Sequence, residues 1–516
     1  MLCKRFLSIL LLVWVSLVPF GQATAIPNLP SFTDTMVFSE LEVGYATSCA
    51  ITSTNRLLCW GDNYDGQIGV DNSDIYYSPI PLQTLNFGEI IQSVTSGGKH
   101  SCAIDSTPKA WCWGYGSYGQ LGNGDTSSSY LPVQVSTSTG FTNPQKISAG
   151  SYTTCGINNS GAAYCWGSGS SGVLGNGTNT DSDVPSSVNS LNTGVKDISV
   201  GYDAACAVNS SNGAMCWGNN YWGTLGNGTN ISSNFPVPVT GLSSEVTQVS
   251  VGDLHACALL SNGTIQCWGY NIYGYLGNGG STNSNIPVQV SGITSGATAI
   301  SVGSYHTCAL VDGGVKCWGD NSSGQLGDGT TVNRNIPVQV VGLSSGVAAI
   351  AAGGYHSCAL LTNGAIQCWG NNGEGALGTG DFNDLLTPGK PVVATTGNIS
   401  GYSVYQGTMY TSNHQIFVSA HPSLDGYPVA SDTIANDEYY LLSELVDGTY
   451  YISAFLDVDD SGGGPPGPGE PLAFYDADYD GNPDPITIEG GSSSAGINIY
   501  IDDPNLLNLY LPVIIR

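Results

Sequence analysis

Short runs of alternating or continuous apolar residues fill the chain and return at a fixed interval. Ile300-Ser301-Val302 ends in Gly303. Cys308-Ala309-Leu310 follows, then Val315-Lys316-Cys317-Trp318-Gly319, and after Gly324-Gln325-Leu326-Gly327 comes Ile336-Pro337-Val338-Gln339-Val340. Runs of this length, bounded by Gly, Asn, Asp and Pro, predict strands and turns. The four-part unit restarts near Met36, Ile91, Ile147, Ile198, Val249, Ile300 and Ile350, roughly every 50 residues. Four strands per unit predict an all-β, seven-bladed β-propeller with one repeat per blade. The propeller region is 26–395: after a Pro-containing lead-in from Ile26 to Thr35, the seven units run from about 36 to 395, the last ending at Pro391-Val392-Val393. The pattern leaves open whether each blade is contiguous in sequence.

Cysteine spacing sharpens this picture. Apart from Cys3, fourteen cysteines form seven local pairs: Cys49 with Cys59, Cys102 with Cys112, Cys155 with Cys165, Cys206 with Cys216, Cys257 with Cys267, Cys308 with Cys317 and Cys358 with Cys368. One pair per repeat predicts disulfides within repeats. The turns agree. Cys257 and Cys267 centre a hairpin on Ser261-Asn262-Gly263, where the last position needs a positive φ. The shorter spacing of Cys308 and Cys317 centres on Asp312-Gly313, a two-residue turn. Facing residues in an antiparallel pair lie within disulfide range, and each closed loop contributes about 2.5–3 kcal/mol in the chain-entropy model. Zinc or redox chemistry fits less well, since no CxxC occurs.

The cysteines imply an oxidising destination, and the N-terminus concurs. Lys4-Arg5, the apolar stretch Phe6 to Val18 and Ala23-Thr24-Ala25 have the layout of a secretory signal over residues 1–25. That stretch is too short to span a membrane comfortably. Charge narrows the partners. The formal net charge is −28, and residues 396–516 hold 17 acidic residues against one basic. No stretch is basic enough to grip phosphates, which argues against nucleic acid.

The G-x-x-H-[ST] start, the Trp-Gly pair and the G-Q-L-G-x-G loop resemble the repeat of the regulator of chromosome condensation family, including its exported bacterial branch often labelled alpha-tubulin suppressor-like. The resemblance covers all seven units, with Trp60, Trp113, Trp166, Trp217, Trp268, Trp318 and Trp369 each followed by Gly. It implies a seven-bladed propeller that binds another macromolecule through one face. It does not imply one activity, because the family includes a GTPase exchange factor, a plant ultraviolet-B receptor and a secreted β-lactamase inhibitor.

From about Thr395 a second β pattern begins, with Ile416-Phe417-Val418-Ser419-Ala420 and Tyr450-Tyr451-Ile452-Ser453-Ala454-Phe455. Residues 396–505 are expected to form an acidic β-sandwich, and the order resembles a transthyretin-like or carboxypeptidase-regulatory-type domain. Residues 506–516 are an apolar tail. Within the expected sandwich, Asp476, Asp478, Asp480, Asn482 and Asp484, with Gly481 between, place oxygens where a calcium loop places them. Position 12 is Thr487 instead of Glu, and a solvated acidic turn is the plainer alternative. Asp457-Val458-Asp459-Asp460-Ser461-Gly462 is a weaker copy.

His100, His255, His306 and His356 recur two residues before the first cysteine of their units. One per blade, and replaced by Thr47, Thr153 and Ala204 elsewhere, they read as packed core residues. The Trp-Gly tryptophans read the same way. The aromatics that do not repeat are more informative. Tyr64, Tyr115, Tyr118, Tyr221, Trp222, Tyr270, Tyr273 and Tyr275 follow Trp-Gly in units 1, 2, 4 and 5, with Tyr305 and Tyr355 at strand entries. In a four-stranded meander these loops share one end, and exposed Tyr and Trp are common binding anchors. Ordinary loop packing is the competing explanation. No nucleophile elbow, HExxH, P-loop or dinucleotide fingerprint occurs. The sequence therefore predicts a non-enzymatic, monomeric, secreted or cell-surface protein binding an extracellular protein or glycan. A secreted enzyme inhibitor or a polysaccharide hydrolase are the alternatives.

Overall fold

The computed structural model describes residues 37–70, 75–84 and 90–389, together with the backbone of nine strands between 397 and 501. Residues 37–389 form seven successive antiparallel sheets. Each is built from consecutive strands, as in blade 6: Ala297–Val302, His306–Val311, Gly314–Gly319 and Arg334–Gln339. Blade 7 has Val347–Ala352, His356–Leu361 and Ile366–Gly370, plus a bridge from Gly370 to Leu385. The outer strand expected at Pro391-Val392-Val393 lies outside the described residues. So do the signal segment and the calcium loop.

The hairpin chemistry is as the spacing requires. Cys49 faces Cys59 across its hairpin, Cys102 faces Cys112, Cys155 faces Cys165 and Cys206 faces Cys216. Cys257 faces Cys267, Cys308 faces Cys317 and Cys358 faces Cys368. All seven expected pairs are disulfides, with Cα atoms 4.0–4.1 Å apart. Gly161, Gly263 and Gly364 take positive φ in the three-residue turns. In the shorter hairpin both Asp312 and Gly313 do.

The core is divided into layers between blades. Leu225, Val239 and Leu242 of blade 4 pack on Val249, Ala258 and Trp268 of blade 5. An equivalent layer sets Ile366 and Leu377 of blade 7 against Phe38, Leu41 and Trp60 of blade 1. Among the described residues the ring thus closes without mixing its ends: the strands of each blade are contiguous in sequence.

One polar junction recurs inside these layers. Each Trp of the Trp-Gly pair is fully buried, and its indole N–H donates to the second residue of the preceding blade's Gly-x-Leu-Gly loop. Trp166 reaches Gln120 O at 3.0 Å, Trp318 reaches Tyr275 O at 2.9 Å, and Trp60 closes the ring on Ala376 O at 2.9 Å. The hydroxyl just before the first cysteine shares that carbonyl, as Ser357 Oγ does with Gln325 O at 3.0 Å. The recurring histidines complete the junction. His100, His255 and His306 meet Thr154, Thr307 and Ser357 of the next blade at 2.7 Å. Since each of these hydroxyls donates its hydrogen to a carbonyl, the histidine Nε2 must carry the other hydrogen, leaving Nδ1 bare. In these three residues Nδ1 is buried without a partner. The rings are therefore neutral, and burial pushes their pKa down to about 3.

Innermost strands pose an edge problem, because their outer N–H groups face the axis unpaired. Side chains of the preceding blade cap them. Ser148, Ser199, Ser250 and Ser301 hydroxyls accept from Val200, Val251, Val302 and Ala352 N–H at 2.9–3.2 Å. Glu40, Asp197 and Gln248 do the same two residues earlier in the strand, for Val94, Val249 and Ile300. Blade 7 carries Ala349 and Ala351 at these two positions, so the seam onto blade 1 lacks side-chain caps. Glu42, beside Glu40, is pushed up to about 7 by burial and the Glu40 charge, against Lys146.

The innermost strands end in seven glycines: Gly44, Gly97, Gly150, Gly201, Gly252, Gly303 and Gly353. A Cβ on any of them would lie 2.0–2.3 Å from the next glycine's carbonyl oxygen, right round the ring. They line an axial cavity of about 90 Å³.

Beyond the propeller, backbone pairing defines two further sheets. Gly397–Tyr405 pairs with Glu438–Leu445, Ser494–Ala495 and Ile499–Ile501. Gln415–His421 pairs with Ala430–Ile434 and Gly448–Asp457. The last of these also pairs with Leu472–Phe474 and Ile486–Ile488. This much is described of the segment expected to be a sandwich.

Two consequences are measurable by denaturant unfolding. Gly201→Ala, whose Cβ would sit 2.0 Å from Gly252 O, should destabilise by about 2–4 kcal/mol. Gly241→Ala, with φ +77° and open space around it, should cost about 1 kcal/mol of backbone strain. For the histidines, the unfolded chain binds one more proton than the native state between the folded value and about pH 6.5. Their stabilisation is present above about pH 6.5 and drains as pH falls, by about 1.4 kcal/mol per pH unit each. His255→Gln should therefore be less stable than wild type at about pH 7.5, with the gap narrowing steadily on acidification to about pH 4.

Candidate functional site

The loops joining first to second and third to fourth strands meet at one end of the ring, where aromatic rings touch from blade to blade. Tyr115 and Tyr118 of blade 2 contact Tyr152 of blade 3 at 6.2 and 5.3 Å, and Tyr152 contacts Tyr202 of blade 4 at 5.7 Å. A second run starts at Tyr221 and Trp222 of blade 4, with rings 4.6 Å apart. It passes to Tyr270 at 4.5 Å and Tyr275 at 5.8 Å in blade 5. From Tyr275 it continues to Tyr305 of blade 6 at 6.5 Å, Tyr355 of blade 7 at 4.9 Å and Tyr45 of blade 1 at 5.8 Å. Offset and edge-on pairs at these distances hold the rings in place.

The expected anchors sort into three kinds. Tyr64, Tyr118, Tyr221, Trp222 and Tyr273 are exposed, Tyr221 most of all at 69%. Tyr115 and Tyr270 are half-buried within the runs. Tyr275 is a correction: at 2% exposure it is no surface anchor. It fills the second position of Gly-x-Leu-Gly, which holds the buried Gln120 and Gln325 in blades 2 and 6, and its ring stacks on His255 at 5.3 Å. Tyr64 stands apart from both runs, paired with Tyr76 in its own blade at 6.0 Å.

Tyr45, Tyr152 and Tyr202 belong to the face but escape a reading centred on the Trp-Gly loop. The signal was present: all three lie one or two residues after the axial glycine. The same slots hold Lys99, Asp203 and Asp253. Lys99 pairs with Asp65 at 3.1 Å and sits 5.3 Å from the Tyr115 ring centre, a cation–π contact. Burial pushes Asp253 up to about 6 and also raises Asp203; a Ser304 hydrogen bond and Asn219, respectively, oppose the rise. Burial and the neighbouring Tyr355 push the Tyr305 phenol up to about 12.

This architecture has relatives. The RCC1-like domain model matches residues 137–411, and models of the regulator of chromosome condensation (RCC1) repeat match 54–104, 109–157, 38–67 and 91–120. The chain belongs to the RCC1-like domain family. It is 30% identical over 265 residues to the human E3 ubiquitin-protein ligase HERC2, covering 50% of this chain and 5% of that protein. It is 30% identical over 257 residues to the ultraviolet-B receptor UVR8 of Arabidopsis thaliana, covering 49% of this chain and 58% of the receptor. The chain thus spans little of HERC2 and under two thirds of UVR8. Yeast RCC1 (Prp20), solved bound to Kap60, superposes with a TM-score of 0.58 at 17% identity, over 84% of this chain and 96% of that one. Human WBSCR16 gives 0.57 at 23% identity, over 64% and 88%. At these identities both structures establish the RCC1-like fold alone.

The three kinds of aromatic should respond differently to truncation when unfolding is followed in denaturant. Tyr275→Ala is expected to cost about 3–5 kcal/mol in unfolding free energy, as for other large buried rings. Tyr221→Ala should stay within about 0.5 kcal/mol of wild type.

Proposed function

We propose that the chain is an exported or cell-surface binding protein that engages an extracellular protein or glycan, as a monomer, through the aromatic face of its propeller. The observation that carries this reading is the run of touching rings from Tyr221 to Tyr45, because preorganised Tyr and Trp offer large contact area at low entropic cost. Seven disulfides suit an oxidising destination. In this proposal residues 396–505 are a sandwich serving as spacer or anchor, with calcium held by Asp476, Asp478, Asp480, Asn482 and Asp484; that assignment rests on spacing alone. Inhibition of a secreted enzyme is the nearest variant.

A polysaccharide hydrolase is favoured less. Glu40 and Glu42 are paired carboxyls with raised pKa on the innermost strand of blade 1. The axial cavity of about 90 Å³, however, is far smaller than the roughly 300–1,000 Å³ of ligand pockets.

The test compares wild type with a variant carrying Tyr221→Ala, Trp222→Ala, Tyr270→Ala and Tyr273→Ala. Both are used to capture partners from cell-surface extracts and to probe a glycan array, with and without chelator. Wild type should retain a defined partner that the variant loses, and chelator should leave capture intact. Identical binding by both proteins would overturn the aromatic-face reading.

A further inference from the structure

The aromatic face crosses the seam where blade 7 meets blade 1 at Tyr355 and Tyr45. There a cavity of about 340 Å³, within the range of ligand pockets, is lined by Tyr45, Ser323, Tyr355, His356, Asn371 and Glu374, among others. Its chemistry is one-sided. Tyr355 contacts both Tyr45 and Tyr305, so ring faces and edges form one wall. Glu374 supplies a half-buried carboxyl. Burial, then the charges of Asp62 and Asp384, hold its pKa above the ordinary value. His356, 1% exposed, meets Ser48 Oγ at 3.0 Å, and that hydroxyl donates to Ala376 O at 2.8 Å. Its Nε2 is therefore the donor in that contact. Burial pushes this ring down to about 4, so it stays neutral.

No lysine or arginine is among the described residues that line the cavity. Among the described residues Lys99 pairs with Asp65, Lys146 with Asp197 and Arg334 with Asp328, and no lysine or arginine pairs with Glu374. Repulsion among Glu374, Asp62 and Asp384 favours a positive group over a neutral sugar hydroxyl, and phenol rings attract cations through their faces.

We propose that this cavity receives the cationic side chain, lysine or arginine, of a partner protein. The inference rests on the binding reading above and deepens it by naming the chemistry of one contact. The carboxylate of Glu374 neutralises the incoming charge, and the Tyr45 and Tyr355 rings flank it.

The probe is the peptide acetyl-Gly-Lys-Gly-amide, titrated into the full chain by NMR, beside the same peptide acetylated on its lysine and beside cellohexaose. The lysine peptide should bind, and acetylating its side chain should weaken binding by about tenfold or more. Glu374→Gln, with unchanged melting behaviour, should cause a similar loss, whereas Ser261→Ala, in the exposed turn between the second and third strands of blade 5, should cause none. Equal binding of the acetylated peptide, indifference to Glu374→Gln, or binding of cellohexaose alone would overturn the proposal. Those outcomes are distinct from failure of the aromatic-face reading. That reading fails when the fourfold alanine variant keeps its partner, whatever the lysine peptide does.

Discussion

Every junction between neighbouring blades includes one shared carbonyl oxygen. The second residue of every Gly-x-Leu-Gly loop, or of its Gly-Gln-Ile-Gly counterpart in blade 1, offers that oxygen to the indole of the following blade's tryptophan. The series runs from Gln67 and Trp113 round to Ala376 and Trp60. The groups are fully buried, so water cannot replace either partner, and an unmade bond there costs about 1–3 kcal/mol. The layer can close only when both the loop and the indole are in place. Disulfides lock the hairpin that carries the tryptophan, and the neutral histidines tie the hydroxyl beside it. Most of what repeats in this chain serves that junction.

A stiff ring has consequences for the loops it carries. First-to-second and third-to-fourth loops leave the blades beside the junction, so rings placed there are held at fixed spacing and need no ordering on contact with a partner. The face is also acidic at heart: Asp203 and Asp253 lie among its phenols, and Glu374 borders it at the seam. That seam is built differently from the other junctions. Ala349 and Ala351 leave the innermost strand of blade 1 without the side-chain caps found at the other six junctions, and the cavity opens at the same junction.

Repetition made much of this legible. A period in the sequence must be a period in space when every unit meets the same neighbours, so seven occurrences of Cys, Trp and Gly specify seven blades, their disulfides and their turns. The scaffold role of His100, His255, His306 and His356 could be argued from the same recurrence. What does not repeat is harder to read. Tyr273 and Tyr275 are two residues apart in one loop, yet one is exposed and the other stacks on His255, because only the second occupies the slot whose carbonyl accepts the indole N–H. Tyr45, Tyr152 and Tyr202 join the face through contacts with rings 34 to 310 residues away in the chain.

By itself, then, the sequence determined the all-β class, the blade count, the cysteine pairing and the hairpin types, since each follows from local spacing and turn geometry. The tertiary structure decided how the ring closes, which aromatics reach the surface and which carboxyls share a cavity. Those properties depend on residues brought together by closure of the ring, and closure is a constraint that no stretch of the chain contains alone.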